Sequence, residues 1–298
     1  MSSVRTATSP MGRPLARDFW ALTKPRIMAL ILTTGFMTIL LAADGLPPFP
    51  LLLAAVLGTA LASASANTLN MYFDRDIDAI MTRTRSRPLP AGRVEPAHAF
   101  VFGVVLGIAS FVLLSTAVNL LSAVLAVAGI LFYVLVYTLG LKRRTPQNIV
   151  IGGAAGAVPP LIGWAAVTGT VEWPAILLFA IIFLWTPPHF WALALLKNED
   201  YVRAGVPMMP VVRGEEETRR QIFLYTLLLL PPTVGLYLTG TSGWLFLVAG
   251  SALGLTFVWK AWVLLRDKSA AAARELFKFS NYYLGLLFTA VVLDRLIL

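Results

Sequence analysis

The sequence predicts an all-α polytopic membrane protein, a bundle of nine transmembrane helices around a central cavity. Three observations carry this. The 298 residues are 58% hydrophobic and only 13% charged, with a mean hydropathy of +0.77. A soluble domain carries about a quarter charged residues. Apolar runs of around 20 residues recur from end to end, each long enough for a hydrocarbon core of about 30 Å. No period-2 alternation suggests a barrel, and backbone in lipid must satisfy its own hydrogen bonds, so the spans are helices.

Taken in order, the spans are expected at 21–43, 51–73, 96–116, 118–139, 148–169, 173–196, 220–239, 242–265 and 275–297. Turn-forming or charged stretches separate them: "DGLPPFP", "KRRTPQN", "GTVEWP", the segment 197–219, "TGTSG" and "RDKSAAAARE". The join at Thr116–Asn119 has no charge to mark it. Residues 1–20 read as a cytoplasmic tail and 21–298 as a single nine-helix domain. Of the 24 Lys and Arg, all but Arg295 fall on one side of this arrangement. By the positive-inside rule that side is cytoplasmic, which places the N-terminus inside and the C-terminus across the membrane. A bacterial inner membrane is expected. A mitochondrial one, suggested by Arg5, Arg13 and Arg17 in an acid-poor opening, is the weaker reading.

The absence of cysteine excludes disulfides, thiolate catalysis and Cys-based metal centres, and two histidines argue against a multi-His metal site. The net charge of +9 is a topology signal here rather than a nucleic-acid footprint.

The charged chemistry gathers at two inner-face segments. In "NMYFDRDIDAIMTRTRSRPLP", Asn70, Asp74 and Asp78 are spaced i, i+4, i+8. Each step drifts only about 40° around a helix, so the three share a stripe if the helix continues. Asp76 faces elsewhere. The stripe lies at a helix C-terminus, where the macrodipole is already negative, so gathered carboxylates there call for a cation. Hard oxygen donors without His or Cys point to Mg²⁺ or a similar ion. The plainer alternative is a solvated loop in which the acids pair with Arg75, Arg83, Arg85 and Arg87.

The second segment, "HFWALALLKNEDYVRAGVPMMP", places Asp200 at the inward end of span 6, with Lys197 one turn before it. His189 lies 11 residues earlier, nearly on the same face and about 16 Å deeper. An ionisable ring at that depth faces an internal cavity or bonds a neighbouring helix. Pro187 and Pro188 could kink the span and turn it. Lys142, Arg143 and Arg144 follow span 4, as topology determinants that could also hold an anion. Acids and bases at the mouth of an apolar cavity suit a polyanion on an apolar tail, with a divalent ion bridging carboxylate to phosphate.

Five blocks in order carry a family resemblance: "LTKPR" at 22–26, "NTLNMYFDRDIDAIMTRTRSRPLPAGRV" at 67–94, "YTLGLKRRTPQNIVIGGAAGAVPPLIGW" at 137–164, "WTPPHFWALAL" at 185–195 and "DYVRAGVPMMP" at 200–210. Over about residues 20–295 the chain resembles the UbiA-type intramembrane prenyltransferases, and within them the subgroup that farnesylates heme. The resemblance implies transfer of a farnesyl group from farnesyl diphosphate to a vinyl group of heme B, giving heme O. It implies that Asn70, Asp74 and Asp78 help hold Mg²⁺ and the diphosphate; the spacing of the second segment adds Asp200 to the metal site and puts Lys197 and His189 with Asp74, Asp78 and Asp200 at the chemistry. Asn70, Lys142, Arg143 and Lys197 are then expected on the diphosphate, and Arg83, Arg87 and Arg203 near the heme propionates. The family's second acidic motif usually has two aspartates four apart; here Leu196 stands where the first would be, which leaves the number of Mg²⁺ ions open. Implied partners are the bilayer and, beyond it, a heme A synthase or terminal-oxidase assembly factors, with no nucleic acid. Two other readings remain at this stage: the same fold acting on an aromatic quinone precursor or chlorophyll-like ring, and a membrane transporter.

Overall fold

The structure is a computed structural model, which describes residues 16–297. Most of the expected cytoplasmic tail, with Arg5 and Arg13, and the terminal Leu298 lie outside the described residues. Among those residues, nine helices are long and apolar enough to cross a membrane, and no strand forms.

A short helix α1 (Ala16–Leu22) precedes the first span, α2 (Pro25–Ala42). Lys24 takes a left-handed conformation between them, with Pro25 opening the new helix. The chain continues through α3 (Phe49–Phe73) and a one-and-a-half-turn α4 (Arg75–Ile80) to α5 (Pro96–Ala117). The unmarked join before the fourth span is made by Asn119. Its side chain accepts from Ser122 N at 2.8 Å, capping α6, and donates to Ala165 O at 2.7 Å. An amide cap ends one span and starts the next without any charge.

Helix α6 begins as an α-helix at Leu120–Leu131 and winds as a π-helix over Phe132–Leu141. Then come α7 (Asn148–Thr168) and α8 (Trp173–Leu196). Both carry an internal Pro pair, Pro159–Pro160 and Pro187–Pro188, without interruption of the helix. A short α9 (Asn198–Arg203) leads to the seventh span, built of α10 (Met209–Leu228) and α11 (Leu230–Leu238). Gly214, at φ 80° and ψ 166°, breaks its amphipathic start from its membrane part. Helices α12 (Trp244–Asp267) and α13 (Ala270–Ile297) complete the bundle.

Helix association in lipid relies on close packing and interhelical hydrogen bonds rather than on a hydrophobic driving force. Both appear here. Ser65 Oγ donates to Gly103 O and Ser110 Oγ to Gly58 O, each at 2.7 Å, tying α3 to α5 at two levels. Helix α7 crosses α2 so closely that a Cβ on Gly163 would stand 2.6 Å from the Gly35 carbonyl oxygen. Large apolar side chains such as Ile108, Leu135, Val248 and Leu255 stay exposed on the rim, as a lipid-facing surface requires.

The two ends of the bundle differ. One, the basic face, carries α4, the loop 81–95, residues 142–147 and α9. At the other, Arg295 Nε meets Asp44 Oδ1 at 2.8 Å, and buried Asp294 accepts the backbone N–H groups of Gly243 and Phe246 at the start of α12.

Candidate functional site

A cavity of about 450 Å³ opens among α2, α3, α6, α7, α8 and α13. Its deep wall is apolar, with Ile130, Val158, Ile162 and Leu284, while its mouth at the basic face is lined by Lys24, Asn70, Asp78, Arg83, Arg87 and Lys142. This is the division expected of a site for a charged head on an apolar tail.

The acid stripe survives a break in its helix. Asp74 ends α3 with φ −91° and ψ 2°, yet Asp74 N reaches Asn70 O at 2.9 Å and Asp78 N reaches Asp74 O at 2.8 Å. The i→i+4 spacing therefore carries through the joint, and all three side chains are buried. Asn70 Nδ2 donates to Asp74 Oδ2 at 2.7 Å and to Thr138 Oγ1 at 3.0 Å. Lys142 Nζ pairs with the same Asp74 oxygen, and Arg87 Nη1 pairs with Asp78 Oδ2 at 2.6 Å. Asp76 faces away, exposed, and takes both nitrogens of Arg143 at 2.6 Å. That bidentate bond draws Asp76 below the usual carboxylate range.

The π-helical stretch sets this register. Its wider turn places Thr138 on Asn70 and ends with Lys142 on Asp74, while Tyr133 and Tyr137 stack at 5.3 Å along the cavity wall. Helices depart from α-geometry in this way mostly at functional sites.

The donor set fits a hard divalent cation. Asn70, Asp74 and Asp78 offer only oxygen toward such an ion, and Asp74 Oδ1 is buried without a hydrogen bond, with Arg143 Nη2 3.8 Å away. Asn70 and Asp78 line the cavity, while Asp74 stands just behind Asn70, bonded to it and to the lining residue Lys142. Lys142 and Arg87 supply the compensating charge meanwhile.

The second acidic segment departs from expectation. Helix α8 stops at Leu196, and Lys197 has φ −129°, so the helical phase counted from His189 to Asp200 does not carry through. Lys197 is exposed and off the cavity wall, which corrects its placement on the diphosphate. Asp200 is buried but turned to Arg203 and to Thr82 N, at 3.3 Å. It braces α9 against the loop after α4 instead of lining the cavity. Arg203 is engaged there too, donating to Thr82 Oγ1 at 2.7 Å, and Arg143 is held outside by Asp76. Neither lines the cavity.

His189 does line it. The Pro pair does not turn it away, because α8 stays continuous. Its Nδ1 lies 2.7 Å from Ser280 Oγ on α13, and its ring stacks between Trp185 at 4.3 Å and Phe277 at 4.8 Å. The two sequence readings, cavity wall and bond to a neighbouring helix, hold together.

Lys24 was missed as a site residue, although it lies in "LTKPR". Its Nζ donates to Asn70 Oδ1 at 2.7 Å from the cavity mouth. Burial, then the nearby Arg87 and Lys142, hold its pKa well below the usual lysine value. Only the left-handed turn at Lys24 aims it inward, and no spacing rule shows that.

Comparison with known proteins agrees with this geometry. The model of the UbiA prenyltransferase family matches residues 30–283. The protoheme IX farnesyltransferase of Symbiobacterium thermophilum is 56% identical over 282 residues, covering 94% of each chain. That of Gloeobacter violaceus is 54% identical, covering 94% of this chain and 92% of its own. Among solved structures, a digeranylgeranylglyceryl phosphate synthase superposes with a TM-score of 0.78 at 21% identity, covering 95% of this chain and 99% of its own. A UbiA homolog from Archaeoglobus fulgidus bound to GPP and Mg²⁺ gives 0.63 at 14% identity, covering 92% and 99%. The match over most of its length, on a nine-span bundle with an acid-lined cavity mouth, makes this chain a member of the UbiA prenyltransferase family.

Proposed function

We propose that this protein transfers the farnesyl group of farnesyl diphosphate to a vinyl carbon of heme B, forming heme O and releasing diphosphate. The observation that carries this is the Asn70–Asp74–Asp78 stripe, interleaved with Lys24, Arg87 and Lys142, at the mouth of an apolar cavity. Relatives at 56% and 54% identity bearing the name protoheme IX farnesyltransferase support the choice of substrates. Family membership removes the transporter reading.

Farnesyl diphosphate enters with its head at the mouth and its isoprenoid tail among the apolar walls. Lys24, Arg87 and Lys142 neutralise the phosphate oxygens, exchanging their present carboxylate and amide partners for the ligand. Asn70, Asp74 and Asp78 would hold Mg²⁺, which would supply positive charge to stabilise the departing diphosphate. The vinyl group of heme B attacks C1 of the farnesyl cation, and a water adds to the cation left beside the porphyrin, giving up a proton. Aromatic walls, Tyr133, Tyr137 and Trp185, are suited to shield such cations from premature water. Arg83 lines the mouth, which supports its role as the partner of a heme propionate.

The bilayer assigned is a bacterial inner membrane, with the basic face cytoplasmic; handover of product to a heme A synthase or oxidase assembly factor follows from the same reading. Incubation of purified protein with heme B, farnesyl diphosphate and Mg²⁺, followed by mass spectrometry of extracted hemes, tests it. Heme O is the expected product, and prenylation of a quinone precursor in preference to heme would reject the assignment.

A further inference from the structure

The polar bond that anchors His189 also fixes its chemistry. Ser280 Oγ donates its proton to Phe277 O at 2.7 Å, so toward His189 it acts as an acceptor. With the hydroxyl proton on that carbonyl, the 2.7 Å His189–Ser280 contact assigns the ring proton to Nδ1. The faces of the ring are covered by Trp185, inclined 19°, and Phe277, inclined 28°. Trp185 Nε1 donates to Ser280 O at 2.7 Å, which locks α8 to α13 around the same residue. Phe190 meets the ring at right angles, 5.3 Å between centroids, and Nε2 has no hydrogen-bond partner among the described residues. Ser280, Trp185, Phe277 and Phe190 carry no charge that would hold an imidazolium, and a neutral ring protonated at Nδ1 leaves a lone pair on Nε2.

We propose that Nε2 of His189 is the axial ligand of the heme iron when the porphyrin occupies the cavity, and that Ser280 is the residue that positions it. The proposal rests on the heme reading above and adds to it the atom that docks the acceptor. A metal-bound histidine nearly always donates its other N–H to an oxygen, which sets tautomer and ring orientation and raises ligand basicity. The Nδ1–H, Ser280 hydroxyl and Phe277 carbonyl form that chain before any metal arrives. Neutral imidazole is a strong ligand for heme iron, and the position suits one. His189 lies seven residues, about 10 Å along the helix, inside the end of α8, below the charged mouth. Iron ligation there holds the porphyrin in the apolar part of the cavity while the diphosphate stays among the bases.

The test is titration of the purified full-length protein with hemin, in nanodiscs and without farnesyl diphosphate, read by optical absorption, electron paramagnetic resonance and resonance Raman spectra. A one-to-one complex with a histidine-nitrogen signature is expected. His189→Ala should lose that signature and weaken hemin binding at least about tenfold, and added imidazole should restore the signature. His98→Ala, at the other and exposed histidine, should change neither. Ser280→Ala should shift the iron–nitrogen stretch and weaken binding by about tenfold, the usual range for an outer partner of a ligand, with Ser280→Thr restoring both. A wild-type spectrum retained by His189→Ala would overturn the assignment and hand the iron to another group on the wall, such as Met208 or Tyr137. A His189→Ala protein that binds hemin normally but releases a dehydrated product would also overturn it, in favour of a proton-accepting role. Failure of the wild type to bind hemin at all, together with no heme O in the turnover assay, would instead sink the proposed function itself.

Discussion

At the scale of single residues, the site is a set of carboxylates each already matched to a cation. Asp74 has Lys142, Asp78 has Arg87, and Asp76 has Arg143. Lys142, Asp78 and Arg87 line the cavity, Asp74 sits behind them, and of the three carboxylates only Asp74 keeps a buried oxygen free of hydrogen bonds. We predict that Asp74→Asn and Asp78→Asn each abolish turnover while the thermal transition stays within a few degrees, and that chelation of Mg²⁺ does the same to the wild type. Full activity of either variant in Mg²⁺ would remove the metal-site reading. A second prediction contrasts two lysines. Lys24→Met should weaken farnesyl diphosphate binding by about 10- to 100-fold, the worth of a charge-assisted hydrogen bond. Lys197→Ala, at an exposed position, should change it by less than about twofold. Equilibrium binding of a non-hydrolysable farnesyl diphosphate analogue decides between them, and the reverse ranking would restore the role that helical counting gave Lys197.

At the scale of elements, two departures from regular helix shape the site. The π-helical end of α6 turns Thr138 and Lys142 onto the acid stripe, and the break at Lys197 detaches α9 from the phase of α8. Close crossings hold these elements in place. A methyl group on Gly163 would meet a backbone oxygen, which cannot swing aside. Gly163→Ala should therefore force α7 from α2, costing about 1–3 kcal/mol. On Gly152 a Cβ would strike Tyr137 Cδ2 at 2.2 Å, so Gly152→Ala should disturb the cavity wall itself. The expected outcome is a lowered thermal midpoint for Gly163→Ala with specific activity retained by the folded fraction, and reduced specific activity for Gly152→Ala. An unchanged midpoint for Gly163→Ala, by melting in detergent, would mean the crossing is looser than drawn.

At the scale of the whole molecule, the prediction concerns topology. The Arg295–Asp44 pair places the end of α13 on the same face as the α2–α3 turn, opposite the loops that carry the acid stripe. Reporter fusions near Arg83, Arg143, Arg213 and Lys268 should report the cytoplasm, and fusions at Asp44, Gly169 and after Arg295 the other side. A C-terminal reporter on the side of Arg83 would contradict the pairing.

The sequence by itself determined the class of molecule. Apolar runs spaced by turns and bases fix nine spans because the bilayer imposes length and internal hydrogen bonding on each of them, and both are visible residue by residue. It also determined the acid stripe, since Asn70, Asp74 and Asp78 are bonded locally at i→i+4 through a joint that barely alters their phase. Tertiary structure decided the rest. Asp200 and Arg203 turn to Thr82, Arg143 is held by Asp76, and Lys24 is aimed inward by one left-handed residue. Each of these depends on a backbone break or on a partner more than 60 positions away, or, for Lys24, 46 away at Asn70. The contact at His189 Nδ1 was equally out of reach, because it is made by a hydroxyl 91 positions distant on a helix that only packing brings alongside. Periodicity reports which face a residue shares within one helix, and it carries no information about which other helix that face will meet.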